Sequence, residues 1–153
     1  MKIRVGLLTV AAAGALIAVR SAKAPAGFGF SKRSVRGSYA STFQGSVIQG
    51  SSLLPINGTA VLTADGNGNI SGHESFVFNG TICTDVASTG TYTVNPDGSG
   101  TTSFKFTSTP ECSGTYTQSL AIAESRGIVV LNNTNAGNQI SEIWRQQNSG
   151  RPF

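Results

Sequence analysis

The chain has 153 residues, enough for one domain whose core needs no staples. Charged residues make up only 12% of it, against a usual quarter, while Gly, Ser, Thr and Asn abound; this balance points to an all-β extracellular protein and away from a helical one. Of the eleven basic residues, four (Lys2, Arg4, Arg20 and Lys23) precede the first strand signal, leaving seven against seven acidic ones, so the formal +4 makes no electrostatic case for nucleic acid or an anionic membrane.

Residues 1–26 read as a secretory signal peptide, placing the mature protein in the periplasm or outside the cell. Lys2 and Arg4 form a positive n-region, Val5 to Val19 is an apolar run short for a bilayer span, and small residues follow. Cleavage is expected after Ala24-Pro25-Ala26, because cutting after Ala22-Lys23-Ala24 would leave Pro25 just past the scissile bond. The alternative is a retained membrane anchor stopped by Arg20 and Lys23. Residues 27–36 (GFGFSKRSVR) have no period and read as a flexible arm.

From Gly37 the chain is a series of alternating runs separated by turn chemistry, with no helical periodicity. Eight strands are predicted: Gly37 to Phe43, Asn57 to Ala64, Asn69 to Phe78, Ser88 to Val94, Gly100 to Phe106, Gly114 to Ala123, Gly127 to Leu131 and Gln139 to Gln146. The best-marked turn is Asn95-Pro-Asp-Gly-Ser-Gly100, where Pro presets φ and Gly supplies positive φ. Eight sequential strands bury their edges best as an antiparallel up-and-down barrel over residues 37–147, with 148–153 as a tail; a β-sandwich is the alternative fold.

In a meander, alternate loops share an end. That parity brings together Cys83 and Cys112, the only cysteines, so a disulfide is expected between them. The segments Gln44 to Ile56, Asn79 to Ala87, Thr107 to Ser113 and Asn132 to Asn138 fall at the cysteine end and read as long loops around a mouth. Asp65 to Gly68, Asn95 to Ser99 and Glu124 to Arg126 read as tight turns at the other end.

Taking the more apolar face of each strand points Tyr39, Phe43, Ala60, Leu62, Phe76, Phe78, Tyr92, Val94, Phe104, Phe106, Tyr116, Leu120, Ile128, Val130, Ile140 and Trp144 inward. Phe43, Phe78, Tyr92, Phe106 and Tyr116 are placed nearest the mouth, where aromatic walls with tyrosine hydroxyls suit a small, partly apolar ligand. Against this, eight strands leave an interior barely wider than its own side chains, and the rings could simply plug it.

Glu74, Gln118 and Glu142 also fall on the inward faces. Buried carboxyls are costly unless paired or wet, so they mark a buried network or a polar ligand site, with Gln118 and Glu142 as its anchors. His73, the only histidine, lies on a polar face and supports no histidine-dependent triad; His and Cys are too few for a zinc site. Asp65-Gly-Asn-Gly-Asn69 begins like a calcium loop, but Ile70 and Phe76 stand where that loop needs Gly and Glu. No cofactor is implied. The outward Thr59, Thr63, Ser71, His73, Ser103, Lys105 and Thr117 argue against a membrane barrel, which needs an apolar outer band.

The segments Gly37-Ser-Tyr-Ala40, Asp65-Gly-Asn-Gly68, Gly90-Thr-Tyr-Thr-Val-Asn95 and Asp97-Gly-Ser-Gly-Thr101 resemble the turn-rich pattern of small secreted bacterial β proteins with no assigned activity. The architecture resembles calycin-like barrels such as avidins and lipocalins, without their Trp-rich signatures. The resemblance implies fold only and carries over no functional residue. Three functional readings follow: a non-enzymatic barrel binding a small ligand at the long-loop end; a solid structural or adhesive module contacting a protein partner through its long loops; and a barrel enzyme using Glu74 and Glu142.

Overall fold

A computed structural model describes residues 29–123 and 128–147. The leader, the 124–126 turn and the 148–153 tail expected above lie outside the described residues. The eight strands are Gly37–Gln49 (β1), Ser52–Ala64 (β2), Asn69–Phe78 (β3), Thr81–Val94 (β4), Ser99–Thr107 (β5), Gly114–Ile122 (β6), Ile128–Asn133 (β7) and Gln139–Gln146 (β8). Each pairs antiparallel with the next, and β8 returns to β1 through the register Phe43↔Glu142, closing an up-and-down barrel. Closure leaves no sheet edge unpaired, and the sandwich alternative falls away.

Period-two alternation decides what lies inside. Along β1, Tyr39, Ser41 and Phe43 are buried, while Ser38, Ala40, Thr42 and Gln44 between them are exposed. The apolar interior divides into two clusters stacked along the barrel axis. Tyr39, Leu62, Ile70, Tyr92, Phe104 and Trp144 belong to a larger cluster that fills the tight-turn end. Phe43, Phe76, Val86 and Ile140 gather with Cys83 and Cys112 at the opposite end. The buried polar side chains Ser41, Glu74, Ser88, Thr102, Gln118 and Glu142 lie at and around the boundary.

The two cysteines are bonded, with Cα atoms 5.7 Å apart, at the end where parity places them. Cys83, however, sits within β4, and two of the four long loops expected there are strand instead. β1 and β2 stay paired up to Gln49↔Ser52, and β3 and β4 up to Phe78↔Thr81, so the segments 44–56 and 79–87 form protruding hairpins closed by two-residue turns. Asn79 and Gly80 both have positive φ, the geometry of a hairpin turn matched to strand twist. Pro55 lies beyond the last β2–β3 pair, Ile56↔Phe78, where a missing N–H is tolerated.

Two further expectations are corrected. The arm ahead of the barrel packs on its tight-turn end: the Phe30 N–H donates to the Pro96 carbonyl at 3.0 Å, Lys32–Val35 forms a 3₁₀ turn whose Val35 is fully buried, and the Tyr92 hydroxyl donates to the Lys32 carbonyl at 2.9 Å. On β7, Val129 and Leu131 are buried, and Val130 faces out. Ile128 to Leu131 is apolar at every position, so alternation there carries no sign of which face is which.

Candidate functional site

A cavity of about 170 Å³ occupies the disulfide-bonded end of the barrel. Phe43, Phe76, Phe78, Phe106, Tyr116 and Ile140 supply much of its wall, Cys112 joins them beside the disulfide, and Glu142 reaches it from β8. The exposed Glu111, Ser113 and Thr115 form part of its rim, so the cavity opens to solvent beside the β5–β6 connection. Gly58 lets the rings meet: a Cβ there would stand 2.6 Å from both the Phe43 ring and the Phe76 Cβ. The rings form a continuous series, with Phe43 to Phe76 at 6.3 Å, Phe76 to Phe106 at 5.7 Å, and Phe106 stacked on Tyr116 at 5.0 Å. Phe104 stacks on the other flank of Tyr116 and carries the series down to Trp144.

Below the rings lies a polar layer, and its two carboxyls differ sharply. Glu142 Oε1 accepts from the Ser41 hydroxyl at 2.5 Å and the Trp144 indole N–H at 2.7 Å, and Oε2 accepts from the Gln118 amide at 2.9 Å. Thr102 donates to the Gln118 carbonyl oxygen at 3.1 Å, fixing the amide so that its NH₂ faces Glu142. Glu74, 1% exposed, has no hydrogen-bond partner for either oxygen among the described residues, and the Ser88 hydroxyl is likewise unpaired.

Burial, then the nearby Glu142 charge, push the Glu74 carboxyl up to about 8, opposed by the Ser88 hydroxyl, which stands close by but outside hydrogen-bond geometry. Glu142 is raised by burial as well, opposed by its donors Ser41, Gln118 and Trp144. The Tyr116 phenol, which lines the cavity, is raised well above its ordinary value by burial first and then by the Glu142 and Glu74 charges nearby. The ordinary expectation for two carboxyls sharing a dry interior is that at least one keeps its proton.

Of the residues expected to line a ligand site, Phe43, Phe78, Phe106, Tyr116 and Glu142 share this cavity. Gln118 lies beneath it and acts on Glu142. Tyr92 is elsewhere: β4 descends from the disulfide end, and Tyr92, two residues before its last, packs in the lower cluster. Val47, Ile56, Ile140 and Asn138 complete the wall without having been singled out as site residues. Val47 and Ile56 lie on the hairpin extension that had read as loop, where alternation assigns no face; Ile140 was assigned inward but ranked as core. His73 lies outside the barrel, 2.9 Å from Asp85, both well exposed. Asp85 has φ 51° in a bulge where Thr84 and Asp85 oppose Ser75. At the calcium-like turn, Asp65 Oδ1 accepts from the backbone N–H of Asn67, Gly68 and Asn69, so the carboxylate caps its own turn. No protein-family model and no curated protein matches the chain.

Proposed function

We propose that this chain is an exported, non-enzymatic β-barrel that binds a small, partly apolar ligand in the cavity at its disulfide-bonded end. The observation that carries this reading is the cavity itself: about 170 Å³, walled mainly by rings and aliphatic side chains, reached from within by the Glu142 carboxyl and open at a rim that carries Glu111. An apolar cavity of about 150 Å³ takes up benzene, so this volume suits a body of one ring or its aliphatic equivalent. The layered interior supports the same reading, because the solid lower cluster makes a floor and the upper end is left unfilled. Eight-stranded barrels of the kind this chain resembles hold one small ligand in the same manner. Export is supported by the leader-like first 26 residues and by the Cys83–Cys112 bond, which persists in oxidising compartments. An acid/base enzyme is less well supported: three donors hold Glu142, and Glu74 does not line the cavity.

Binding of fluorobenzene, followed by ¹⁹F NMR, tests the proposal. Val47→Trp puts a large ring into the cavity wall; a folded variant should bind at least tenfold more weakly than the wild type. Equal binding by the two would locate any affinity elsewhere and refute the site. A second reading, a module that docks on another protein, draws on Ile48 and Leu53, an exposed cross-strand pair near the tip of the β1–β2 hairpin. Wild-type protein that fails to bind fluorobenzene at millimolar concentration would favour it.

A further inference from the structure

The interior holds acceptors that nothing in the described fold satisfies. Glu74 Oε1, Glu74 Oε2 and the Ser88 hydroxyl are buried and unpartnered among the described residues; neither residue lines the cavity, but Glu74 lies close to Glu142 and Tyr116, which do. Register places Glu74 opposite Ala60 on β2 and Val86 on β4, one inward position below the cavity-lining Phe76. The titratable groups facing it are Glu142 from β8 and Tyr116 from β6; β2 and β4 bring Ala60, Val86 and Ser88, which carry no charge. Among the described residues no Lys, Arg or His is buried, so the two carboxyls have no counter-charge inside the barrel. A carboxylate buried without one is costly by several kcal/mol, and a protonated acid with no partner forfeits its hydrogen bond.

What this interior lacks is a positive group with several N–H donors. The walls above suit the same partner, because the faces of aromatic rings attract a cation at close range, and Phe43, Phe76, Phe106 and Tyr116 follow one another around the chamber. Building on the small-ligand reading above, we propose that the ligand is a small primary ammonium compound: its single ring or branched aliphatic body fills the chamber, and its –NH₃⁺ reaches one inward position below the cavity wall, past Phe76, to donate to the Glu74 carboxylate and Ser88 Oγ. Glu142, held by Ser41, Gln118 and Trp144, adds negative charge from the other side of the lumen. The proton that Glu74 keeps in the empty barrel leaves for solvent as the ammonium group enters, so binding releases about one proton at neutral pH.

Three probes of nearly equal size separate the possibilities: benzylamine, benzyl alcohol and benzoate. The full chain with its disulfide intact is titrated calorimetrically at pH 7 in two buffers of different ionisation enthalpy. Benzylamine is expected to bind at least tenfold more tightly than benzyl alcohol, with about one proton released, and benzoate not at all. Glu74→Gln should abolish the preference for benzylamine while benzyl alcohol still binds. If benzyl alcohol equals or exceeds benzylamine in the wild type, or no proton is released, the ammonium proposal is overturned while the small-ligand reading stands. If none of the three binds, both fall. The wild-type affinities and proton count decide the matter even where Glu74→Gln fails to fold.

Discussion

Glu74→Gln removes a carboxyl that the fold holds far from its ordinary range, and its effect on stability has a sign that depends on pH. In the folded barrel the group titrates at about 8, against an ordinary 4.5. Between those values the folded state keeps a proton that the unfolded chain has released, so stability is fully present below about 4.5 and is lost as pH rises through about 8. At ~1.4 kcal/mol per unit, the loss amounts to ~5 kcal/mol, a large part of the ~5–15 kcal/mol that holds a domain folded. Glu142, also raised, acts in the same direction. Asp65 and Asp97 are lowered by hydrogen bonds from their own turns and act oppositely, but only below pH ~4. The raised tyrosines act near or above pH ~10. The useful window is therefore pH 5 to 9. Urea unfolding across it, read from the fluorescence of the single, fully buried Trp144, should show the wild-type midpoint falling by roughly 1.5 M or more. Glu74→Gln should flatten most of that slope and be the more stable protein at pH 9. A wild-type midpoint that stays level or rises with pH would refute the picture of an unpaired, protonated Glu74.

Two other perturbations probe the two ends of the barrel. Reducing the Cys83–Cys112 bond, or replacing both cysteines with serine, releases a loop spanning 29 positions and should cost ~3–4 kcal/mol in a chemical-denaturation experiment, with weakened fluorobenzene binding because Cys112 belongs to the cavity wall. Tyr92→Phe removes the bond to the Lys32 carbonyl at the opposite end; it should cost ~1 kcal/mol and leave probe affinity unchanged, and a loss of binding would place Tyr92 in the site after all.

How far the sequence revealed this arrangement depended on whether neighbouring positions differ in character. Where apolar and polar residues alternate, as from Ser103 to Phe106, strand and face could both be read. The same alternation exposed Glu74, Gln118 and Glu142 as inward polar groups, because a carboxyl or amide stands out on a face whose other positions are apolar or glycine. Ser41, Ser88 and Thr102 share that polar layer, but small hydroxyl residues are as common on outward faces and gave no signal. Uniform runs were ambiguous for the reason seen at Val129 to Leu131, where three apolar residues in succession suit either face. The protruding hairpins escaped notice because above the barrel body only pairing, not burial, selects the residues, and the segment 44–56 shows no sustained alternation. The folded arm depends on a contact across 60 positions, from Tyr92 to Lys32, which no local pattern announces.

The central claim is that the chamber beside the disulfide holds a compact apolar body. A crystal of the protein soaked with iodobenzene, examined for the anomalous signal of iodine, measures this directly. A single strong peak among Phe43, Phe106, Tyr116 and Ile140 is the predicted result. A chamber filled by the protein's own Phe78 or Phe106 rings, with iodine only on the outer surface, would contradict it.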